Sequence, residues 1–128
     1  MLASKTDTKS VGRLKKRSDF LRVQKSGRKW VAKGMVVEVA ENENLGIRYG
    51  LTVSKKVSKL AVTRNRIRRR LKAVASDVLG VYGTYDLDVV LIGRVSTEKR
   101  GFEDLKQDLR WCLSKMGIEK ASDENCPD

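Results

Sequence analysis

Residues 63–72 read TRNRIRRRLK, and six of the ten are Arg or Lys. Guanidinium groups at that density suit one kind of chemistry: each presents a planar fork of N–H donors that can hold a phosphate through two hydrogen bonds. The charge is not neutralised locally. From Lys55 to Lys72 nine of eighteen positions are cationic, and no Asp or Glu interrupts the chain between Glu43 and Asp77. Over 128 residues the formal net charge is +12, the electrostatic footprint of a protein that binds a polyanion. Nucleic acid is the first candidate partner.

The side chains that usually catalyse are sparse. There is no histidine, which removes the commonest general base and the commonest transition-metal ligand. Cys112 and Cys126 are too few and too far apart for a zinc cluster or a CxxC pair, and two reduced, unpaired thiols are expected. Asp86 and Asp88 share one face of a strand and raise the question of a metal pair. No further carboxylate evidently converges on them, so contact with basic residues at a strand edge is the expected arrangement. Neither a catalytic nor a metal site is assigned to the chain. A self-sufficient nuclease, which would need a carboxylate cluster or a histidine, is the weakest functional class. A DNA-binding repressor is disfavoured because strands, not a helix, precede the basic segment. A ribosomal-type or general RNA-binding chaperone would share the charge and stands as the alternative reading. The chain lacks an apolar run able to span a bilayer, and MLASKTDTKS lacks the apolar core of a secretory signal. A cytoplasmic protein with no membrane partner is expected.

The elements that must position the arginines follow from periodicity. One α+β domain is expected over residues 12–117, between flexible tails at 1–11 and 118–128. RSDFLRVQKSG predicts a short helix, with Ser18 as a cap and Gly27 as its stop. RKWVAKG predicts an edge strand. MVVEVAEN alternates Met35, Val37 and Val39 against Val36, Glu38 and Ala40. IRYGLTVSKK sets Ile47, Tyr49, Leu51 and Val53 on one face and Arg48, Gly50, Thr52, Ser54 and Lys56 on the other. Ile67, Leu71, Val74, Ala75 and Val78 then form a single helical stripe that Gly80 is expected to end. Stepping about 100° per residue from Ile67 places Asn65, Arg69 and Lys72 opposite that stripe. Arg66 and Arg68 fall on its flanks, and Arg64 and Arg70 near its edge. YDLDVVLIGR reads as a strand covered on both faces. Phe102, Leu105, Leu109, Cys112, Leu113 and Met116 follow helical spacing after Thr97, the expected cap. Trp30 and Trp111 are expected to be packing residues. The order is α-β-β-β-α-β-α, with a small mixed sheet packed against helices.

Residues 50–72, GLTVSKKVSKLAVTRNRIRRRLK, resemble the signature of the bacterial ribonuclease P protein subunit, in which an RNR segment follows a VSKK-type strand end. RLKKRSDFLRVQKSGRK resembles that family's opening helix, DLDVVLIGR its last strand and FEDLKQDLRWCL its closing helix. The likeness spans roughly residues 12–116.

The resemblance implies a fold like the second domain of a small-subunit ribosomal protein, with a left-handed βαβ crossover. It implies a protein that is not itself the catalyst: an RNA partner performs Mg²⁺-dependent hydrolysis that removes the 5′ leader from precursor tRNA. The Mg²⁺ is expected to be held mainly by that RNA, and no DNA partner is expected. Arg64, Asn65 and Arg66 match the RNR motif and, with Arg68, Arg69 and Lys72, are expected to dock on the catalytic RNA subunit. Phe20, which by periodicity alone reads as core, matches the family's aromatic on the opening helix. With Thr52, Ser54 and Lys56 it is expected to bind the leader in a cleft between that helix and the sheet. Many members carry a second aromatic one turn later, where this chain has Gln24.

Overall fold

The computed structural model describes residues 11–82 and 85–118. Its elements are β1 (Gly12–Arg13), α1 (Arg17–Ser26), β2 (Arg28–Val31), β3 (Met35–Glu41), β4 (Arg48–Thr52), α2 (Ala61–Val78), β5 (Leu87–Gly93) and α3 (Phe102–Lys115). Short 3-10 turns follow α2 and β5, at Leu79–Tyr82 and Val95–Glu98. The expected order is present, with β1 as an addition whose two residues are too few to show a period. Ile118 is buried and Val11 packs on the core, so packing reaches one residue beyond 12–117 at each end. The rest of the expected tails, and Cys126, lie outside the described residues.

The five strands form one mixed sheet in the order β1-β4-β5-β3-β2. β3 pairs antiparallel with β2 and β5, while β4 pairs parallel with β5 and β1. Alternation assigns the faces. Met35, Val37, Val39, Tyr49, Val89 and Leu91 point to the side covered by α2 and α3, where the main core sits. The other side carries a smaller cluster in which Val23 of α1 packs on Leu14, Ala40 and Val90. β5 is therefore apolar on both faces because helices cover both.

In α2 the stripe Ile67, Leu71, Val74, Ala75 and Val78 is buried as its spacing predicts. Gly80 does not stop the chain there: α-helical bonding ends at Val78 and a 3-10 turn carries on to Tyr82, because Leu79 and Tyr82 are also drawn into the core. Gly93 lets α2 lie close to the sheet, since a Cβ there would meet Ile67 Cγ2 at 2.7 Å and Val53 Cγ2 at 2.9 Å. The expected caps do not act. α1 is entered from Lys16 and α3 from Gly101, neither with a side-chain cap. Thr97 falls in the intervening 3-10 turn, where it is buried and its hydroxyl donates to Gly34 O (2.5 Å) and accepts from Arg94 N–H (2.8 Å).

The hand of the β4-α2-β5 crossover follows from residue chirality. The carbonyl of Tyr49 accepts from Leu14 N–H at 2.8 Å, and that of Ile47 from Gly12 N–H at 3.0 Å. Both side chains face the helix-covered core. Viewed from its side-chain face with the strand running upward, an L-residue points its carbonyl to the right. β1 thus lies to the right of β4, and β5 to the left. Seen from the helices the chain steps leftward, so the crossover is left-handed, against the usual preference and as the family resemblance implies.

Candidate nucleic-acid interface

α2 positions the arginines by burying its stripe. Asn65, Arg66, Arg68, Arg69 and Lys72 are exposed, whereas Arg64 and Arg70 are partly buried at the stripe's edge. The two edge arginines are anchored to backbone. Arg64 Nη1 donates to Ser58 O at 2.8 Å, tying the helix start to the loop before it. Arg70 donates to the carbonyls of Thr97 and Arg100. Arg68 donates to Asn65 Oδ1 at 3.2 Å, orienting that amide. Arg66 is paired, contrary to a reading from the local sequence: Glu98, from the turn after β5, accepts from it at 2.5 Å. The pair is exposed enough to hold the side chain only weakly. The first turn of α2 has no acidic residue, so the positive end of the helix dipole adds to the arginine field. An anion docked there relieves both.

On the other face of the sheet, α1 and the strands enclose an open cleft of about 530 Å³. Lys15, Arg17, Phe20 and Gln24 line its helix side, and Glu38, Leu51 and Thr52 lie on its sheet side. Phe20 lies half-buried, one part of its ring in the small cluster and the other facing the cleft. Gly50 makes room for it: a Cβ at that position would stand 2.4 Å from Phe20 Cε1. The cleft thus offers an aromatic face, a hydroxyl and two cations. It also holds one acid, Glu38, whose carboxyl is pushed upward by burial and pulled back in part by Lys29, its register partner on β2.

Helix α1 is held over the cleft by a buried carboxylate. Asp88 is fully buried and accepts from Arg48 through both oxygens, each at 2.8 Å, and from Asn42 Nδ2 at 2.9 Å. Arg22 of α1 adds a third ion-pair contact. Burial alone would raise the Asp88 carboxyl, but the hydrogen bonds from Arg48 and Asn42 and the charges of Arg48 and Arg22 outweigh it and hold it below the usual range. The expected contact with basic residues is present, on the central strand rather than an edge strand. Asp86 is exposed and accepts from Gly46 N–H. Among the described residues no three His, Cys, Asp or Glu side chains converge as a metal site would require.

The structure brings Phe20 and Thr52 together in the cleft. Ser54 and Lys56 are not in its walls: β4 ends at Thr52, Val53 is the last residue to follow the alternation, buried in the main core, and the chain then turns through Val57 N–H to Ser54 O (3.1 Å). Both are exposed in that turn. Lys15, Arg17 and Glu38 are cleft residues that sequence reasoning did not assign. Glu38 was open to discovery, since it alternates with Val37 and Val39 and so had to face α1.

Comparison with known proteins agrees with this arrangement. The family model for ribonuclease P matches residues 9–117. The ribonuclease P protein component of Paramagnetospirillum magneticum is 41% identical over 124 residues, covering 92% of each chain. That of Ruegeria pomeroyi is 45% identical over 111 residues, covering 84% of this chain and 87% of the relative. The solved Staphylococcus aureus RNase P protein superposes with a TM-score of 0.70 at 25% identity, covering 85% of this chain and 98% of that one. The Thermotoga maritima RNase P protein gives 0.64 at 27% identity, over 76% and 90%. With a left-handed crossover, an exposed RNR helix and relatives of matching length, the chain belongs to the ribonuclease P protein component family.

Proposed function

We propose that the chain is the protein subunit of ribonuclease P, aiding removal of the 5′ leader from precursor tRNA by a catalytic RNA partner. One observation carries this reading: two surfaces suited to RNA occupy opposite sides of one sheet, and they differ in chemistry. α2 presents Arg64, Asn65, Arg66, Arg68, Arg69 and Lys72, a rigid cationic array that suits the folded backbone of the RNA subunit. The α1 cleft presents Phe20 and Thr52 beside Lys15 and Arg17, a mixture suited to a single strand, with a base on the ring and phosphates on the cations. Ser54 and Lys56 extend this surface along the turn after β4.

The chain itself supplies binding and orientation. Among the described residues the two most buried carboxylates, Asp88 and Asp108, are occupied by arginines, which leaves them poorly suited to a metal. The Mg²⁺ needed for hydrolysis would then be held mainly by the RNA partner, with this protein contributing binding and orientation. The test is a precursor-tRNA cleavage assay at low Mg²⁺ with protein alone, the cognate catalytic RNA alone, and both. Cleavage at the leader junction that is strongly stimulated only in the mixture is expected. Cleavage by protein alone, or a mixture no faster than RNA alone, would overturn the reading.

A further inference from the structure

A second aromatic surface lies away from the cleft, at the β2 edge. Trp30 of β2 and Trp111 of α3 meet edge to face, with ring centroids 6.1 Å apart. Expected to be packing residues, they are 37% and 46% exposed. Beside them a groove of about 460 Å³ has Val31, Ala32 and Lys33 on one wall and Arg94, Arg100 and Trp111 on the other. A further groove of about 540 Å³ shares Lys33, Arg94 and Arg100 and carries on to Ser96 and Lys99. The one acid in either lining, Asp108, is already engaged: it accepts from Arg100 at 2.5 and 3.0 Å and from Gly34 N–H at 3.1 Å. Lys33 and Lys99 are exposed and have no ion-pair partner among the described residues. Lys115 Nζ stands 5.8 Å from the Trp111 ring centre. One end of the groove is therefore aromatic and the other cationic.

We propose that this groove binds a segment of single-stranded RNA, with a base stacked on Trp111 and its phosphates running along Lys33, Arg94 and Lys99. The pairing of a π-face with a row of cations is what an unpaired nucleotide requires. A second copy of this chain is the poorer occupant, because each copy carries +12 and the groove would meet like charge. The cationic end also joins the α2 surface, through Arg66 on Glu98 and Arg70 on the carbonyls of Thr97 and Arg100. In that continuity the inference rests on the RNA-docking role given to α2 above; the aromatic end stands without it.

Both tryptophans of the chain lie here, so tryptophan emission, excited at the red edge where the tyrosines do not absorb, reports this surface alone. The full chain is titrated with a short oligouridylate, following tryptophan emission, and in parallel with the fluorescein-labelled oligomer, following anisotropy. Saturable quenching that tracks anisotropy is expected. Lys33→Glu with Lys99→Glu, both exposed positions, should move the quenching midpoint up by about tenfold, and Trp111→Ala should remove most of the quenching. Phe20→Ala should leave it in place. A rise in anisotropy with unchanged emission would mean that RNA binds only elsewhere, which sinks this inference and spares the proposed function. Quenching indifferent to the charge reversals would sink it too, as would an emission change that depends on protein concentration without RNA and accompanies dimers in sedimentation.

Discussion

The ring of Phe20 rests on the backbone of Gly50, so closely that a Cβ there would lie 2.4 Å from Cε1 and 2.6 Å from Cζ. Gly50→Ala must move either the ring or the strand. Because one side of Phe20 is open, the ring should yield first. A stability loss of about 1 kcal/mol, at the low end for overpacking, should accompany a larger fall in leader affinity. Urea unfolding and leader binding to the reconstituted complex, measured on the same variant, separate the two. An unchanged leader affinity would show that the ring's position is immaterial.

Phe20→Ala and Arg64→Ala should have different phenotypes. The first removes the cleft's aromatic face and should weaken leader binding by about tenfold, within the range for losing one base stack, leaving assembly with the RNA subunit intact. The second removes both a cation and the tether to Ser58, and should weaken assembly. Filter binding to each RNA separately checks this. Should Phe20→Ala instead abolish the folded signal in circular dichroism, the residue would be core rather than ligand-binding.

Binding should depend steeply on salt. If about four to six phosphates of single-stranded leader are neutralised, log affinity should fall against log salt with a slope of roughly −3 to −4. Glu98→Gln releases Arg66 from its intramolecular partner and should tighten RNA-subunit binding at low salt, an effect that fades as salt rises. A flat salt profile in leader binding would remove the cleft's cations from the mechanism, and a flat profile in RNA-subunit binding would remove the cationic helix.

Asp88 makes stability depend on acid. Its folded carboxyl titrates below the ordinary value, so its contribution is fully present above the unfolded carboxylate range and is lost as pH falls through the folded value. Below that, Arg22 and Arg48 are left without their anion. Asp88→Ala imposes the same loss at neutral pH and should cost about 3 kcal/mol, the lower end for breaking a buried pair, because both arginines are partly exposed. Urea midpoints across an acid series should show the wild type converging on the variant as pH drops. Parallel curves would assign the acid sensitivity to other groups.

Cys112 should resist alkylation. Burial, with a smaller contribution from the charge of Asp108, pushes its thiol up to about 12, and the side chain is fully buried. In a Cys126→Ser background, labelling by a thiol reagent should occur only through unfolding and should accelerate in step with added urea. Rapid labelling of the native protein would show that α3 opens locally.

Some of these relationships were legible in the sequence and some were not, for physical reasons. The partial burial of Arg64 and Arg70 and the exposure of Arg69 and Lys72 follow from helix geometry once Ile67 and Leu71 are known to face the core. Phe20 was ambiguous because an aromatic beside a sheet has the same periodicity whether its outer face meets protein or solvent. Glu98 was invisible as a partner of Arg66, since it lies 32 positions away and only the tertiary fold brings the turn to α2. Ser54 and Lys56 were placed by extending a strand alternation past its last pairing residue. The left-handed crossover leaves no trace in composition or period, and rests on which edge β1 occupies.

The sheet order also bears on how the protein is made. β5 sits between β4 and β3, and its register joins Arg48 to Asp88 across 40 positions. Among the described strands only β2 and β3 pair as a hairpin; β4 and β5, though consecutive, pair only after the α2 crossover. A nascent chain halted before Leu87 would have that hairpin, the short β1–β4 contact and helices α1 and α2, but neither the central strand nor α3 to close the core, and two apolar strand edges would be waiting. Since synthesis outpaces neither helix formation nor hairpin closure, the domain should remain unassembled on the ribosome until β5 and then α3, which brings Leu105, Leu109 and Leu113 to the core, have emerged, and should then complete that core in one late step.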